Sequence, residues 1–261
     1  MQTDPAKELV DTLTELTDHG AQKFSGILVR DAEVEVWSKE FFLIIFEILN
    51  RIDFIISEVR LLPLDDDLKE DALESIDAIR AVFRGEHLLK YTSQDIANTV
   101  SGANLTVLKM LSPQIRQKIS YKALNREEIK ELVSDVRQLL NWLHEVQSEE
   151  YDFLRQAMIE GLEAFVFRLE RLKWFGRGVT LESLKEVLLA YVALEGLITR
   201  DTNGDELQKA ILAKCGATLQ RTLKVFDIAK ETTDKAGWAL QAYGDVSAVL
   251  DGSSTIVGLL N

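Results

Sequence analysis

The sequence predicts an all-α protein, built as an irregular multi-helix bundle. Apolar residues recur at three- and four-residue spacing along most of the 261-residue chain, which is the spacing of one buried helix face. The stretch 125–174 contains no proline and a single glycine, Gly161. Residues that favour helix starts, such as Asn, Ser and Asp, precede several of the apolar series. We expect the other helices to pack around the two that 125–174 predicts.

The central stretch predicts two consecutive helices. Asn125, with Glu128 three residues later, has the pattern of a capping box at the start of the first. The pattern lapses near Ser148 and resumes at Leu154, so either two helices meet at Ser148 or one long helix turns its buried face there. We favour a break, with Ser148 as the N-cap of the second helix. One buried stripe is predicted for the first helix: Ile129, Leu132, Val133, Val136, Leu139, Leu140, Leu143 and Val146.

The beginning of the chain also predicts helices. Asp4 followed by Pro5 indicates a helix start, and Ser38 caps a helix that Pro63 ends. Over residues 24–37 the signal is mixed, because valines alternate with glutamates as in a strand; we interpret this stretch as helix. The aromatic residues that follow are interpreted as core and core-rim residues: Trp37, Phe41, Phe42 and Phe46.

The remaining segments follow the same pattern. Ser112 followed by Pro113 indicates a helix start. The glycines around Arg177 predict a loop over 174–179, after which Thr180 caps another helix. Further helices are predicted over residues 68–83, 93–110, 181–198 and 205–230.

We predict a single all-helical domain over residues 1–261, with 112–125 as the place for a subdivision, because no Gly/Ser-rich or Pro-rich linker separates two halves. A weak internal similarity relates 54–61 to 165–172, and a second relates residues 73–76 to 181–184. The similarity indicates either a duplication, which would give two stacked helical-hairpin repeats, or only the general likeness of amphipathic helices.

Composition limits the function classes. The 30 Lys and Arg residues face 43 Asp and Glu residues, and the net charge of −13 disfavours binding to nucleic acid or anionic membranes. Cys215 is the single cysteine, so it excludes an internal disulfide and suits a cytoplasmic protein. The chain has no Gly-x-Ser-x-Gly motif and no Walker or dinucleotide-binding glycine pattern. We therefore expect no cofactor.

A candidate metal site lies between the last two predicted helices. Asp201, Asn203 and Asp205 have the alternating oxygen ligands of the first half of an EF-hand loop. Glu206 stands where that loop needs glycine, and Leu212 stands where it needs a bidentate glutamate. A turn followed by an N-cap at Asp205 explains the same residues without a metal.

A candidate catalytic pair lies on the central helix. Arg137 precedes His144 by seven positions, so both lie on one helical face about two turns apart. This spacing resembles the Arg-x(4–6)-His motif of the HEPN family, all-helical ribonucleases of bacterial toxin and defence systems. The resemblance implies that two motifs face one RNA backbone in a dimer, with histidine as acid or base and arginine stabilising the phosphate. The alternative is that both side chains flank the apolar stripe, with His144 paired to an acid.

We expect a non-enzymatic helical subunit that binds another protein or self-associates. Amphipathic helices and the absence of catalytic motifs support this expectation, and four aromatic residues are its candidate contacts: Trp174, Phe175, Trp238 and Tyr243. The apolar tail that begins at Lys235 suggests a second alternative, a membrane-acting effector that inserts this tail into a bilayer.

Overall fold

The computed structural model is all-α and confirms the predicted fold class. It describes residues 2–19, 22–100, 102–146, 152–200 and 206–226. In order, the helices are α1 (Pro5–Thr17), α2 (Phe24–Ala32), α3 (Lys39–Leu61), α4 (Asp66–Val82), α5 (Gly85–Lys90), α6 (Ser93–Thr99), α7 (Gly102–Lys118), α8 (Arg126–Glu145), α9 (Asp152–Glu170), α10 (Leu172–Arg200) and α11 (Glu206–Val225). A short sheet pairs β1 (Gln2–Thr3) with β2 (Tyr121–Lys122).

The chain divides into two compact units, and each consists of two chain segments. Unit 1 contains Met1–Tyr121 and Arg171–Gly178, whereas unit 2 contains Lys122–Glu170 and Val179–Asn261. Unit 1 is therefore discontinuous in sequence. The single-domain organisation of residues 1–261 and the stacking of hairpin repeats stay predictions.

In unit 1, α1 packs against α3, α6 and α7, and α4 packs against α3 and α7. The predicted start of α1 is confirmed, because the Asp4 carboxylate accepts the backbone N–H of Lys7 over 3.0 Å. The same carboxylate accepts the Ser112 hydroxyl at 2.7 Å and the Arg116 Nε at 3.0 Å. A buried acid thus joins the start of α1 to α7.

The helix predicted over residues 24–37 is shorter than expected. α2 ends at Ala32, and Glu33 adopts a left-handed backbone conformation with φ 51°. Trp37 is also left-handed, with φ 61°. The Ser38 hydroxyl oxygen then caps α3 by accepting the backbone N–H of Phe41 over 3.1 Å. The alternation of valine and glutamate marks a loop rather than the end of a helix.

In unit 2, α8 packs against α9 and α11. The predicted capping box is present, with Asn125 and Glu128 each accepting the other's backbone N–H over 2.8 Å. Ser148, the predicted N-cap of the next helix, lies outside the described residues. The members of the predicted stripe that are buried are Leu132, Val136, Leu139, Leu140 and Leu143.

A close approach of α9 and α10 depends on a glycine. A Cβ atom on Gly161 would lie 2.7 Å from Cγ2 of Val187 and 3.3 Å from its backbone nitrogen. These distances are too short for a side chain at residue 161. The one glycine of the central stretch therefore allows two helices of unit 2 to touch.

Two predicted boundaries are wrong. Pro113 lies inside α7 instead of opening a helix, because packing against α1 and α4 outweighs the break that a proline favours. The predicted loop 174–179 is largely helical, and only Gly176 departs, with φ 76° and ψ 166°. One glycine is enough to change the direction of the chain there.

Candidate functional site

Buried charged side chains hold the segment Arg171–Gly178 within unit 1. The guanidinium Nη2 of Arg51 donates to the Trp174 carbonyl oxygen over 2.8 Å. Glu8 accepts the backbone N–H of Arg177 at 3.1 Å and its Nη1 at 2.8 Å. Burial lowers the pKa of Arg51, and the charge of Glu8 opposes that shift. Because Arg51 and Glu8 are buried, this cluster stabilises the fold and offers no surface to a substrate.

Gly176 fits against this cluster because it has no side chain. A Cβ atom there would lie 2.6 Å from Nη2 of Arg51 and 2.7 Å from Oε2 of Glu8. Its φ of 76° is also one that other residues rarely adopt. The backbone can approach the two buried charges only with glycine at this position.

Tyr121 lies beside the same charges. Burial, reinforced by the negative charge of Glu8, raises the pKa of Tyr121 to about 12, while Arg51 acts in the opposite direction. A phenol with this pKa stays protonated at neutral pH and does not serve as a base. Tyr121 is therefore not suited to accept a proton in a reaction at neutral pH.

The two predicted catalytic residues have separate partners on α9. Arg137 forms an ion pair with Glu170, and Nε2 of His144 lies 3.3 Å from Oε1 of Glu163. Both side chains are more than half exposed. Among the described residues, the structure records no hydrogen bond that joins Arg137 to His144. The pair matches the alternative interpretation, in which both flank the stripe, and a role in RNA cleavage stays a prediction.

Other predicted site residues fall in two groups. Trp174 and Phe175 are 1% and 0% exposed, so the surface expected at these rings is not observed. Both rings pack into unit 1, where Arg51 donates a hydrogen bond to the carbonyl oxygen of Trp174. The following residues lie outside the described part of the chain: Asp201, Asn203, Asp205, Trp238 and Tyr243. Within the ranges that the structure describes, no group of three or more His, Cys, Asp or Glu side chains could hold a metal ion.

Exposed apolar side chains instead gather where α3 begins. Val36 and Trp37 are both 43% exposed, Phe42 is 39% exposed and Phe46 is 58% exposed. We call these four residues the aromatic patch. Phe42 and Phe46 are four positions apart on α3 and share one helical face. The patch thus extends from the α2–α3 loop along the first two turns of α3.

A buried ring fixes the aromatic patch to the core of unit 1. Phe41 is fully buried, and its centroid lies 5.1 Å from that of Trp37 in an edge-to-face arrangement. Phe42 contacts both, with centroids 5.6 Å from Phe41 and 5.9 Å from Trp37. Aromatic pairs at these separations attract one another. Trp37 is therefore held in place although nearly half of it faces solvent.

The backbone beneath the aromatic patch is constrained as well. Glu33 and Trp37 both have positive φ, which is uncommon for residues other than glycine. The Arg171 guanidinium donates to the carbonyl oxygens of Ala32 and Glu33, over 2.6 and 3.4 Å. Contacts from a distant part of unit 1 therefore maintain a strained loop that presents Trp37 to solvent.

Acidic residues flank the aromatic patch. Residues 33–47 contain four glutamates and one lysine, which gives this stretch a charge of −3. The exposed acids are Glu33, Glu35 and Glu40, and Glu47 is half-buried. An apolar surface with an acidic rim is suited to a partner that carries both apolar and basic side chains.

A partial signal for this surface is present in the sequence, although the aromatic spacing alone predicts core and core-rim residues. Phe41 and Phe42 are neighbours on a helix, about 100° apart around its axis, so they cannot both point to the centre of the core. Only Phe41 does. The exposure of Trp37 carried no such signal, because it depends on the left-handed loop and on Arg171.

No known protein-family model, curated protein or solved structure matches this chain. Among the described helices, none is both long enough and apolar enough to cross a membrane.

Proposed function

We propose that this chain is a non-enzymatic protein-interaction subunit and that the aromatic patch binds another protein. The observation that carries the proposal is Trp37, an indole 43% exposed on a backbone of positive φ. One side of this indole packs on the buried Phe41, and the exposed part adds nothing to the core. Tryptophan is enriched among the residues that dominate binding energy at protein interfaces. A cytoplasmic location, with Cys215 reduced and buried, is part of the proposal.

The partner we propose is a basic amphipathic segment of a different protein. Its apolar side chains would cover Trp37, Phe42 and Phe46, while its lysines or arginines would face the glutamates of residues 33–47. Charge argues against a second copy of this chain at the same surface, because a symmetric contact would bring −3 against −3. The net charge of −13 adds to that repulsion.

The proposal predicts large effects from truncating two rings. Hot-spot aromatic residues contribute about 2 kcal/mol or more each, so Trp37→Ser with Phe42→Ser should weaken binding at least about a hundredfold. Phe153→Ser is the control, because Phe153 is an exposed ring, at 67% more exposed than Trp37 or Phe42, and it lies in unit 2. Circular dichroism should show that both proteins stay folded, and the double variant should melt at a lower temperature, because Trp37 and Phe42 also pack against Phe41.

The experiment begins with quantitative affinity purification of the tagged full chain, its double variant and the control. A partner that the double variant loses and the control keeps is then purified, its contacts are mapped by cross-linking, and its Kd is measured by calorimetry. We expect the cross-linked segment to be basic and amphipathic. The proposal is overturned if no partner depends on the aromatic patch, or if Phe153→Ser weakens binding equally.

The contacts of Arg137 and His144 with separate acids on α9 do not favour a second candidate function. A matched measurement is nevertheless simple. Incubation of the purified chain with single-stranded RNA, beside a His144→Ala variant, tests the ribonuclease hypothesis directly. Cleavage that disappears in the variant would replace the non-enzymatic proposal.

A further inference from the structure

We propose a second binding site, in unit 2, that takes an acidic amphipathic segment of a protein partner. The site is a groove of about 710 Å³ between α8 and α11. It does not depend on the aromatic patch or on the partner proposed for it. We call it the basic groove. The side chains that carry the argument are Asp135, Leu139, Trp142, Lys214, Thr218 and Arg221.

The basic groove is elongated because two helix faces line it. On α8, Asp135, Leu139 and Trp142 follow at spacings of four and three residues, so they share one face. On α11, the residues from Lys214 to Arg221 follow the same spacing. Each wall therefore runs for about two turns, or about 10 Å. A trough of this form suits a helical or extended peptide laid along it.

The lining carries positive charge in an acidic protein. Lys214, Arg221 and Lys224 contribute three positive charges and Asp135 one negative charge, so the lining has a net charge of +2. The whole chain carries −13. Arg221 lies 2.7 Å from Asp135, so this pair is neutral, and the two lysines provide the excess. Carboxylates on an incoming segment would complement that excess.

An indole gives the basic groove its apolar floor. Nζ of Lys214 lies 4.0 Å from the centroid of the Trp142 ring, which is a cation–π contact. Beside them, Leu139 is buried and Ala217 exposes only a methyl group. An ammonium group thus stands over an apolar surface, so one occupant can be bound through a carboxylate and an apolar side chain at once.

A protein segment fits this lining better than nucleic acid does. A phosphate backbone needs a continuous run of cations, and its binding is opposed by an acidic protein. The basic groove provides an excess of only two cations, with amide and hydroxyl side chains between them. An acidic peptide needs fewer cations and gains from the apolar floor.

The test is selection from a displayed library of random peptides against the full chain. We expect the enriched peptides to combine Asp or Glu with Leu or aromatic residues. Lys214→Glu with Lys224→Glu reverses the two cations that provide the excess and leaves the Arg221–Asp135 pair intact. This double variant should weaken peptide binding at least about tenfold, and added salt should weaken binding to the original chain. Lys209→Glu is the matched control, because Lys209 is an exposed lysine on the same helix, outside the lining, and pairs with Glu206.

Each outcome decides the proposal. The proposal is supported if acidic peptides still bind the Lys209→Glu variant and the Trp37→Ser/Phe42→Ser variant but no longer bind the groove variant. Neutral or basic peptides, or acidic ones that bind the groove variant equally well, overturn it. Single-stranded RNA that binds with the same dependence on Lys214 and Lys224, in the absence of acidic peptides, also overturns it. The Trp37→Ser/Phe42→Ser variant alters only the aromatic patch, so peptide binding to this variant tests the basic groove independently of the proposed function.

Discussion

The two units of this protein are stabilised by different means. Unit 1 holds its second segment, Arg171–Gly178, with the buried charges of Glu8 and Arg51. Unit 2 holds α8 with a stripe of buried leucines and valines. A buried charge depends on having every partner in place, whereas an apolar stripe loses stability in proportion to the atoms removed. We therefore expect unit 1 to fail more abruptly than unit 2 when a single side chain is changed.

The largest effect is expected at Glu8. Glu8→Ala leaves Arg177 without its carboxylate partner and removes the negative charge near Arg51, and loss of one partner of a buried pair typically destabilises by about 3–5 kcal/mol. The measurement is the free energy of unfolding from urea denaturation. Glu15→Ala is the control, because the Glu15–Lys173 pair is exposed and should contribute about 1 kcal/mol or less. Equal losses in both variants would contradict a special role for burial.

Leu143 tests the apolar stripe of unit 2. It is fully buried, and Leu143→Ala should destabilise by about 3 kcal/mol through lost burial and the cavity that remains. Leu143→Met keeps most of the volume and should lose less than about 1.5 kcal/mol in the same urea experiment. If the methionine variant were as unstable as the alanine variant, side-chain volume at residue 143 would not explain the loss of stability.

Gly161 tests the close approach of α9 and α10. Gly161→Ala puts a methyl group 2.7 Å from Cγ2 of Val187, and such overpacking typically destabilises by about 1–3 kcal/mol. In the double variant with Val187→Ala, the 2.7 Å contact is removed and only the 3.3 Å approach to the backbone nitrogen of residue 187 remains, so the two losses should not add. A double-mutant cycle on the melting temperature measures this coupling. Simple additivity would show that α9 and α10 do not meet at this point.

The smallest effect at neutral pH is expected at Tyr121. Its pKa is raised to about 12, so the folded state retains the phenolic proton more strongly than the unfolded chain, whose phenol titrates near 10. The associated stability is present below pH 10 and is lost as pH rises through about 12. Tyr121→Phe should show a smaller decline over this window in thermal melts.

Tyr191 in unit 2 provides the comparison for Tyr121. Burial also raises the pKa of Tyr191 to about 12, with Glu195 adding to the shift. Tyr191→Phe should therefore flatten the alkaline decline to a similar degree. If only the Tyr121 variant does so, the charged cluster of unit 1 outweighs burial as the cause.

The predictability of the two units follows the same division. The Asn125–Glu128 capping box and the stripe of α8 are local patterns, and the structure confirms them. The buried charges of unit 1 are not local, because Glu8, Arg51 and Arg177 lie far apart in sequence and each alone resembles an exposed residue. For the same reason the sequence predicts Gly176 only as part of a loop, since the two side chains that surround it come from other helices.

The candidate surfaces divide in a similar way. Adjacent Phe41 and Phe42 indicated an excess of aromatic residues near the start of α3, which is a local signal. The left-handed conformation of Trp37 has no local signal, because a residue other than glycine does not predict a positive φ. Arg171, which binds the carbonyl oxygen of Ala32 at the end of α2, lies far from this loop in sequence. The basic groove exists because α8 packs against α11. Periodicity predicts the buried face of each helix, but it does not predict which helix packs against that face.

The discontinuity of unit 1 has a consequence for synthesis on the ribosome. Glu8 and Arg51 emerge early, but Arg171–Gly178 follows only after the whole of Lys122–Glu170 has been translated. At about 5–20 residues per second, that interval lasts several seconds. During it, the nascent chain holds two ionised groups whose partners do not yet exist, so unit 1 completes its core only after the first segment of unit 2 has been made. The order of translation thus delays the folding of unit 1, although its first segment is the first part of the chain to be made.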